Sequence, residues 1–323
     1  RTHIATFYVL RLSWLSEGFD LNPHAQLSRV LESGSGKSVS AQTVMGLHPP
    51  KRSRIEGSVI FEGRELIGAG DDVMLDLRGR GIGMIFQEPM SAFDPLFSVG
   101  EQMVESWLVH HPAGSKAQAK ALAVETLQSV GIPDAGRRFG EYAHQMSGGM
   151  LQRMLIALVI MNQPRMLIAD EPTTALDVTI QAQVLGLLKD LQRQRNMAIL
   201  CITHDLGVVA EMADRVHVMY AGRIVERGTV GEIFKDPLHP YTKGLLASKV
   251  RTEYKGGDLP FIPGVVPRAF EFPEGCRFNP RCAERLEVCS RELPADRFPR
   301  ATQPGHGAAC HLYPALDAAK DRP

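Results

Sequence analysis

Ser33-Gly34-Ser35-Gly36-Lys37-Ser38, followed by a helix-compatible run to Leu47, has the residue types that phosphate binding requires. Glycines let backbone N–H groups turn toward an anion, and a helix N-terminus adds positive dipole. A lysine reaches the outer phosphates, and a serine hydroxyl can hold Mg²⁺. Alone, the string also reads as a Gly/Ser linker that happens to precede a lysine. The pattern G-x-x-x-x-G-K-[ST] asks for glycine at position 31, where this chain has Leu31. Leucine does not cheaply adopt a positive φ, so a weakened loop is one expectation. The preceding Gln26-Leu27-Ser28-Arg29-Val30 is expected to be a buried strand, although Arg29 is costly to bury unpaired.

Met166-Leu167-Ile168-Ala169 is an apolar run that ends in Asp170-Glu171. At the C-terminal end of a strand, Asp170 can hold Mg²⁺ and Glu171 can orient or activate an attacking water. In isolation a solvated turn explains the pair equally well. Four of the five cysteines, Cys276, Cys282, Cys289 and Cys310, cluster near the C-terminus with spacing C-x5-C-x6-C-x20-C. The C-x2-C pairs of many structural zinc sites are missing. Four thiolates suit a soft metal, either zinc or an iron–sulfur cluster; four reduced thiols without metal are the plainer alternative. Cys201, inside an apolar run, reads as a small core residue.

These groups need a scaffold. Strand-like runs at Ser58–Phe61, Ile82–Phe86, Met166–Ala169, Ala198–Ile202 and Arg215–Tyr220 alternate with helical stretches at Gly100–Val109, Lys116–Val130, Gly149–Met161 and Ile180–Arg195. That order predicts an α/β fold with a largely parallel sheet. Glu62-Gly63 and Ala221-Gly222 are hairpin signals and predict a smaller antiparallel element. Beyond about residue 246 Pro and Gly become frequent and periodicity fades, which places a domain boundary there.

The 323 residues carry 36 Lys plus Arg and 36 Asp plus Glu, with 44% hydrophobic residues, so the chain has ample core and is not globally disordered. Zero formal charge gives no field favouring nucleic acid. The longest apolar run, Met154–Met161, is far short of the roughly 20 residues that span a bilayer. Arg11 interrupts the apolar start and no small-residue cleavage site follows, so a cytoplasmic chain is expected.

Met146-Ser147-Gly148-Gly149-Met150 opens a long apolar helix ahead of Asp170. With the phosphate loop it resembles the ATP-binding-cassette family, whose signature is Leu-Ser-Gly-Gly-Gln. Gln87 after one strand run, Ala175-Leu176-Asp177, and His204 after another match the family's Q-loop, D-loop and switch histidine, in order. A lone His204 would more often be an ordinary histidine. Gln87-Glu88-Pro89-Met90, the run Asp170 to Thr179, His239-Pro240-Tyr241-Thr242 and Gly275-Cys276-Arg277-Phe278-Asn279-Pro280-Arg281-Cys282 look like the ATPase subunits of bacterial dipeptide and oligopeptide importers.

The resemblance implies a P-loop NTPase core of the cassette type with a mainly parallel sheet. An antiparallel β subdomain, a helical subdomain inserted at about residues 88–161, and a Cys-rich extension over 246–323 behind an ATPase domain at 1–245 complete it. It implies ATP and Mg²⁺ as ligands: Ser33, Gly34, Ser35, Gly36, Lys37, Ser38 and Val39 on the nucleotide, and Ser38, Gln87 and Asp170 on the metal. Glu171 acts on water, and His204 and Gln87 sense the γ-phosphate. Tyr8 is the nearest aromatic for stacking on adenine. Ser147, Gly148 and Gly149 serve the nucleotide of a second, homologous ATPase subunit in a head-to-tail pair. Two transmembrane permease subunits and, indirectly, an extracytoplasmic peptide-binding protein complete the assembly at the cytoplasmic face of the bacterial inner membrane. The same resemblance favours a [4Fe–4S] cluster over zinc on the four cysteines. Three rivals remain open: a related cargo such as a nickel chelate, a soluble cassette ATPase of DNA repair or translation, and a degenerate regulatory cassette crippled by Leu31.

Overall fold

The computed structural model describes residues 8–12, 26–31, 36–49, 51, 53–248, 261–299, 303 and 305–314, with 8–12, 26–31 and 37 as backbone only. In chain order these form β1 (Tyr8–Leu12), β2 (Gln26–Leu31), α1 (Lys37–Val44), β3 (Ser53–Gly57), β4 (Ile60–Phe61), β5 (Arg64–Glu65), α2 (Asp71–Leu77) and β6 (Ile82–Ile85). Next come α3 (Val99–His110), α4 (Lys116–Ser129), α5 (Ala135–Arg138), α6 (Gly148–Ile160), β7 (Met166–Asp170), α7 (Val178–Arg195) and β8 (Ala198–Thr203). The last are α8 (Leu206–Met212), β9 (Arg215–Tyr220), β10 (Arg223–Thr229), α9 (Val230–Lys235), α10 (Pro240–Ala247), β11 (Asp296–Arg297) and β12 (Gly307–Ala309). Two compact units divide the chain: Arg1–Gln26 with Ser38–Ile202, and Leu27–Lys37 with Thr203–Pro323.

In the first unit β6, β7 and β8 are parallel neighbours, with Ile85 opposite Ala169 and Asp170 opposite Ile202. Every residue of these strands within the unit is buried. Strands covered on both faces read as unbroken apolar runs, which is why they were legible in the sequence. Between β6 and β7 the chain runs through α3 to α6, and α4 packs on both α3 and α6. Capping boxes start α3 (Ser98 with Glu101) and α4 (Ser115 with Gln118). Each satisfies two orphan N–H groups, so the polar residues ahead of the apolar runs fix the helix starts.

The expected strand at Ser58–Phe61 divides differently. Ile60–Phe61 pairs antiparallel with Arg64–Glu65, while Ser53–Gly57 pairs parallel with Tyr8–Leu12. Ser53-Arg54-Ile55-Glu56-Gly57 contains one apolar residue, so its strand conformation comes from the partner and not from an apolar pattern. The turn residues behave as expected: Glu62 (φ 50°) and Gly63 (φ 76°), and Ala221 (φ 46°) and Gly222 (φ 79°), all take the positive φ of type I′ hairpins.

In the second unit β2 runs parallel to β9, and β9 turns back into β10. The C-terminal strand β12 adds antiparallel to β10, and β11 adds to β12. The fold is thus mixed α/β with parallel and antiparallel pairing, and residues near 300 belong to the same sheet as those near 225. Among the described residues no helix is long and apolar enough to cross a membrane.

Candidate nucleotide-hydrolysis site and cysteine cluster

Ser33, Gly34 and Ser35 lie outside the described residues, as do the side chains of Tyr8 and Lys37. Gly36 has φ +90° and open space where a Cβ would be, the conformation that glycine enters freely. Lys37 opens α1, and Ser38 and Val39 follow in its first turn, half-buried. The helix N-terminus and a hydroxyl oxygen therefore meet where a phosphate and a hard cation would be held. Leu31 is the last residue of β2, with Met219 opposite. Its backbone is extended there, so position 31 does not require the left-handed conformation that glycine alone takes freely.

β7 carries Asp170 as its final residue, 3% exposed, and Glu171 just beyond, 8% exposed. Glu171 has φ 50°, a left-handed backbone that costs energy for a non-glycine residue. Its N–H donates to the Ile202 carbonyl at 2.8 Å. Its Oε2 accepts from Gln87 Nε2 at 3.1 Å and from Thr174 Oγ1 at 2.9 Å. Gln87, exposed in the loop after β6, is thereby joined to the end of β7. Thr174 was not among the expected site residues. Its only signal was a hydroxyl three positions beyond Glu171.

Ser147 is the N-cap of α6, and its Oγ accepts from the Met150 N–H at 3.4 Å. Ser147 and Gly148 are exposed, so their backbone and hydroxyl groups are open to a partner. A Cβ on Gly149 would lie 2.7 Å from Ile180 Cγ2, so the second glycine lets α6 and α7 approach closely. Asp177 of the Ala175-Leu176-Asp177 motif caps α7, its Oδ1 accepting from Ile180 N–H at 2.9 Å. In the second unit, exposed His204 follows β8, and Asp205 caps α8.

The four tail cysteines come into one neighbourhood. The Cys276 N–H donates to the Cys289 carbonyl at 2.9 Å. Burial above all pushes the Cys310 thiol up to about 11, and the charges of Cys276, Cys282 and Cys289 add to it. Burial also raises Cys276 and Cys282. Their chemistry suits a soft metal. Among the described residues, however, no three His, Cys, Asp or Glu side chains are placed to hold an ion, and all five cysteines, including buried Cys201, are free thiols. Burial thus gathers Cys276, Cys282 and Cys310 as thiols of raised pKa beside buried Cys289.

The rest of the tail motif serves packing. Phe278 meets Tyr220 edge-on and Tyr241 at a tilt, with 5.2 and 5.4 Å between ring centres. Arg281 donates to the Pro263 and Ile262 carbonyls at 2.9 and 3.1 Å. Arg277 donates to the Ala221 carbonyl and lies over the Phe272 ring; burial pushes its pKa down to about 10. Sequence spacing also missed a buried polar knot here. Glu226 Oε1 accepts from the Leu238 N–H at 2.7 Å and pairs with His306 Nε2 at 2.9 Å, and Oε2 accepts from the His239 N–H at 2.8 Å. His239 Nδ1 accepts from the Tyr241 N–H. Burial pulls the His239 pKa down to about 4.

Known proteins resemble this chain along most of its length. Residues 18–174 match the family described as ABC transporter, and residues 225–289 match the oligopeptide/dipeptide transporter C-terminal region. The dipeptide transport ATP-binding protein DppD of Bacillus subtilis is 49% identical over 277 residues, covering 85% of this chain and 82% of that protein. A putative peptide import ATP-binding protein of Brucella melitensis is 48% identical over 311 residues, covering 92% and 90%. Among solved structures, a dimeric ATP-binding cassette in a post-hydrolysis state bound to ADP and Pi aligns with TM-score 0.57 at 26% identity, over 65% of this chain and 87% of that one. The cbiO1 subunit of a Clostridium perfringens ABC transporter complex aligns with TM-score 0.56 at 26% identity, over 66% and 80%.

Proposed function

The chain belongs to the ATP-binding-cassette transporter family, as an ATPase joined to an oligopeptide-transporter C-terminal region, and from that premise we propose that it powers the import of dipeptides or oligopeptides. The observation that carries the hydrolytic part is the carboxylate of Glu171, at the end of a fully buried strand and hydrogen-bonded to Gln87. Family membership makes the chain an ATPase, and ATP with Mg²⁺ its expected ligands.

Lys37 and the loop before it bind the phosphates. The oxygen donors Ser38, Gln87 and Asp170 suit Mg²⁺, which neutralises charge on the phosphates when bound. Glu171 accepts a proton from the attacking water. The water oxygen bonds to the γ-phosphorus while the bond to the bridging oxygen breaks, and ADP leaves. Gln87 and His204 respond to the γ-phosphate, and Tyr8 stacks on adenine. The open faces of Ser147 and Gly148, with Gly149, support a role against the nucleotide of a partner ATPase. As a peptide-importer cassette the chain works as a dimer beside membrane permeases. Its partners in this reading are a homologous second ATPase, two permease subunits and, indirectly, an extracytoplasmic peptide-binding protein, with the chain peripheral on the cytoplasmic face of the inner membrane. The ATPase domain ends near residue 245.

Mg-ATP turnover of the chain with its co-purified partner subunits, combined with peptide uptake in vesicles, tests this reading. Loss of both in Lys37→Ala supports it. Uptake of a nickel chelate in place of peptides would change the cargo, and nucleotide binding no better than that of Lys37→Ala would make the chain a degenerate cassette.

For Cys276, Cys282, Cys289 and Cys310 the reading is a [4Fe–4S] centre, with zinc as the alternative. Four neighbouring thiols support it, and no step of hydrolysis passes through it. Iron, sulfide and zinc analysis of anaerobically purified protein decides: stoichiometric zinc replaces the cluster, and the absence of both metals overturns the metal centre.

A further inference from the structure

The turn after β7 is closed by side chains as well as backbone. The Thr174 N–H donates to the Glu171 carbonyl at 3.2 Å, and Thr174 Oγ1 donates to Glu171 Oε2 at 2.9 Å. The same oxygen accepts from Gln87 Nε2 at 3.1 Å, a residue 84 positions away. The two donors differ in how firmly they are tied to the carboxylate. Thr174 sits three residues on, inside the same turn, which also holds left-handed backbone at Glu171 (φ 50°) and Ala175 (φ 62°). Gln87 sits on a separate, exposed loop. A displacement of that loop lengthens the Gln87 bond and leaves the Thr174 bond intact.

A carboxylate that accepts a proton from water must keep its orientation through the event, because small misplacements of a reacting group lose rate steeply. Two torsions beyond χ1 separate the Glu171 carboxyl from its backbone, so burial alone leaves the rotation of the carboxyl plane open. A hydroxyl donor on one oxygen fixes that plane, and hydrogen bonds to charged acceptors are the stronger kind. We propose that Thr174 is a positioning residue for ATP hydrolysis, whose hydroxyl holds the Glu171 carboxylate in its working orientation independently of Gln87. This rests on the proton-accepting role of Glu171 given above.

Thr174 is itself exposed, so its replacement leaves the core untouched. Thr174→Val keeps the shape and removes the donor; Thr174→Ser keeps the donor. Both are measured, with melting temperature, in the chain co-purified with its partner subunits, with kcat and KM for Mg-ATP determined separately. Thr174→Val is expected to lower kcat about tenfold, the rate equivalent of about 1.4 kcal/mol, with KM within about twofold, since only the reacting geometry changes. Thr174→Ser is expected to recover most of the rate. In a Glu171→Gln background, Thr174→Val is expected to add no further loss. Wild-type kcat in Thr174→Val overturns the proposal, as does Thr174→Ser losing as much as Thr174→Val. Wild-type turnover in Glu171→Gln overturns the role of Glu171 itself, and the positioning role with it.

Discussion

Glu171 and Glu226 are both buried glutamates with several hydrogen-bond donors around each carboxylate, and they are held in opposite ways. Glu171 takes donors from two side chains, one of them on an exposed loop, and sits on a strained left-handed backbone at a strand end. Glu226, 1% exposed in the middle of β10, takes two backbone N–H groups and a fully buried histidine. Backbone donors inside a packed cluster stay put, whereas side-chain donors at a strand end can be exchanged for a ligand. The first arrangement suits chemistry and the second suits architecture.

The sharpest way to break this contrast is to remove each carboxylate. Glu171→Gln is expected to lower Mg-ATP turnover at least about a hundredfold, within the usual range for a lost general base, with the melting temperature nearly unchanged. A large loss of stability in that variant would erase the distinction. Glu226→Ala is expected to do the reverse. Breaking a buried pair and leaving two N–H groups and His306 without their acceptor costs on the order of 3 kcal/mol or more, measured by denaturant unfolding.

His239, beside Glu226, sharpens the same contrast through pH. Burial lowers its pKa to about 4 in the fold, opposed by Glu226 and assisted by Lys243, while the unfolded chain keeps about 6.5. Between those values the unfolded state binds the extra proton, so the contribution to stability is complete above about pH 6.5 and is lost as pH falls toward 4. Asn is a good helix N-cap and does not titrate. Stability of His239→Asn is therefore expected to fall less steeply than wild type between pH 7 and 5, by about 1–2 kcal/mol across that span. Parallel curves would refute it. The smallest effect belongs to the phosphate loop. Because Leu31 ends an extended strand, Leu31→Gly is expected to change ATP affinity by less than about threefold, and a larger gain would show that the loop is weakened as the sequence pattern suggested.

Much of this protein was legible in its sequence because the relevant forces act locally or repeat with a fixed period. The buried strands β6, β7 and β8 betray themselves as unbroken apolar runs. The Glu62-Gly63 and Ala221-Gly222 turns follow from residues that tolerate positive φ. The order of the phosphate loop, Gln87, Ser147-Gly148-Gly149, Asp170-Glu171 and His204 pointed to the ATP-binding-cassette family without any geometry.

What the tertiary structure alone decided depends on distance through space. β3 has almost no apolar pattern and is a strand because β1 lies beside it. The tail's Gly307–Ala309 returns to pair with β10, and His306 meets Glu226 across 80 residues. The bonds of Gln87 and Thr174 to one oxygen of Glu171 exist only once β6 and β7 are side by side and the turn after β7 has closed. Periodicity and capping are properties of neighbouring residues, so the sequence states them by itself. Register, partner and orientation arise from packing between segments far apart in the chain, and only the folded molecule specifies them.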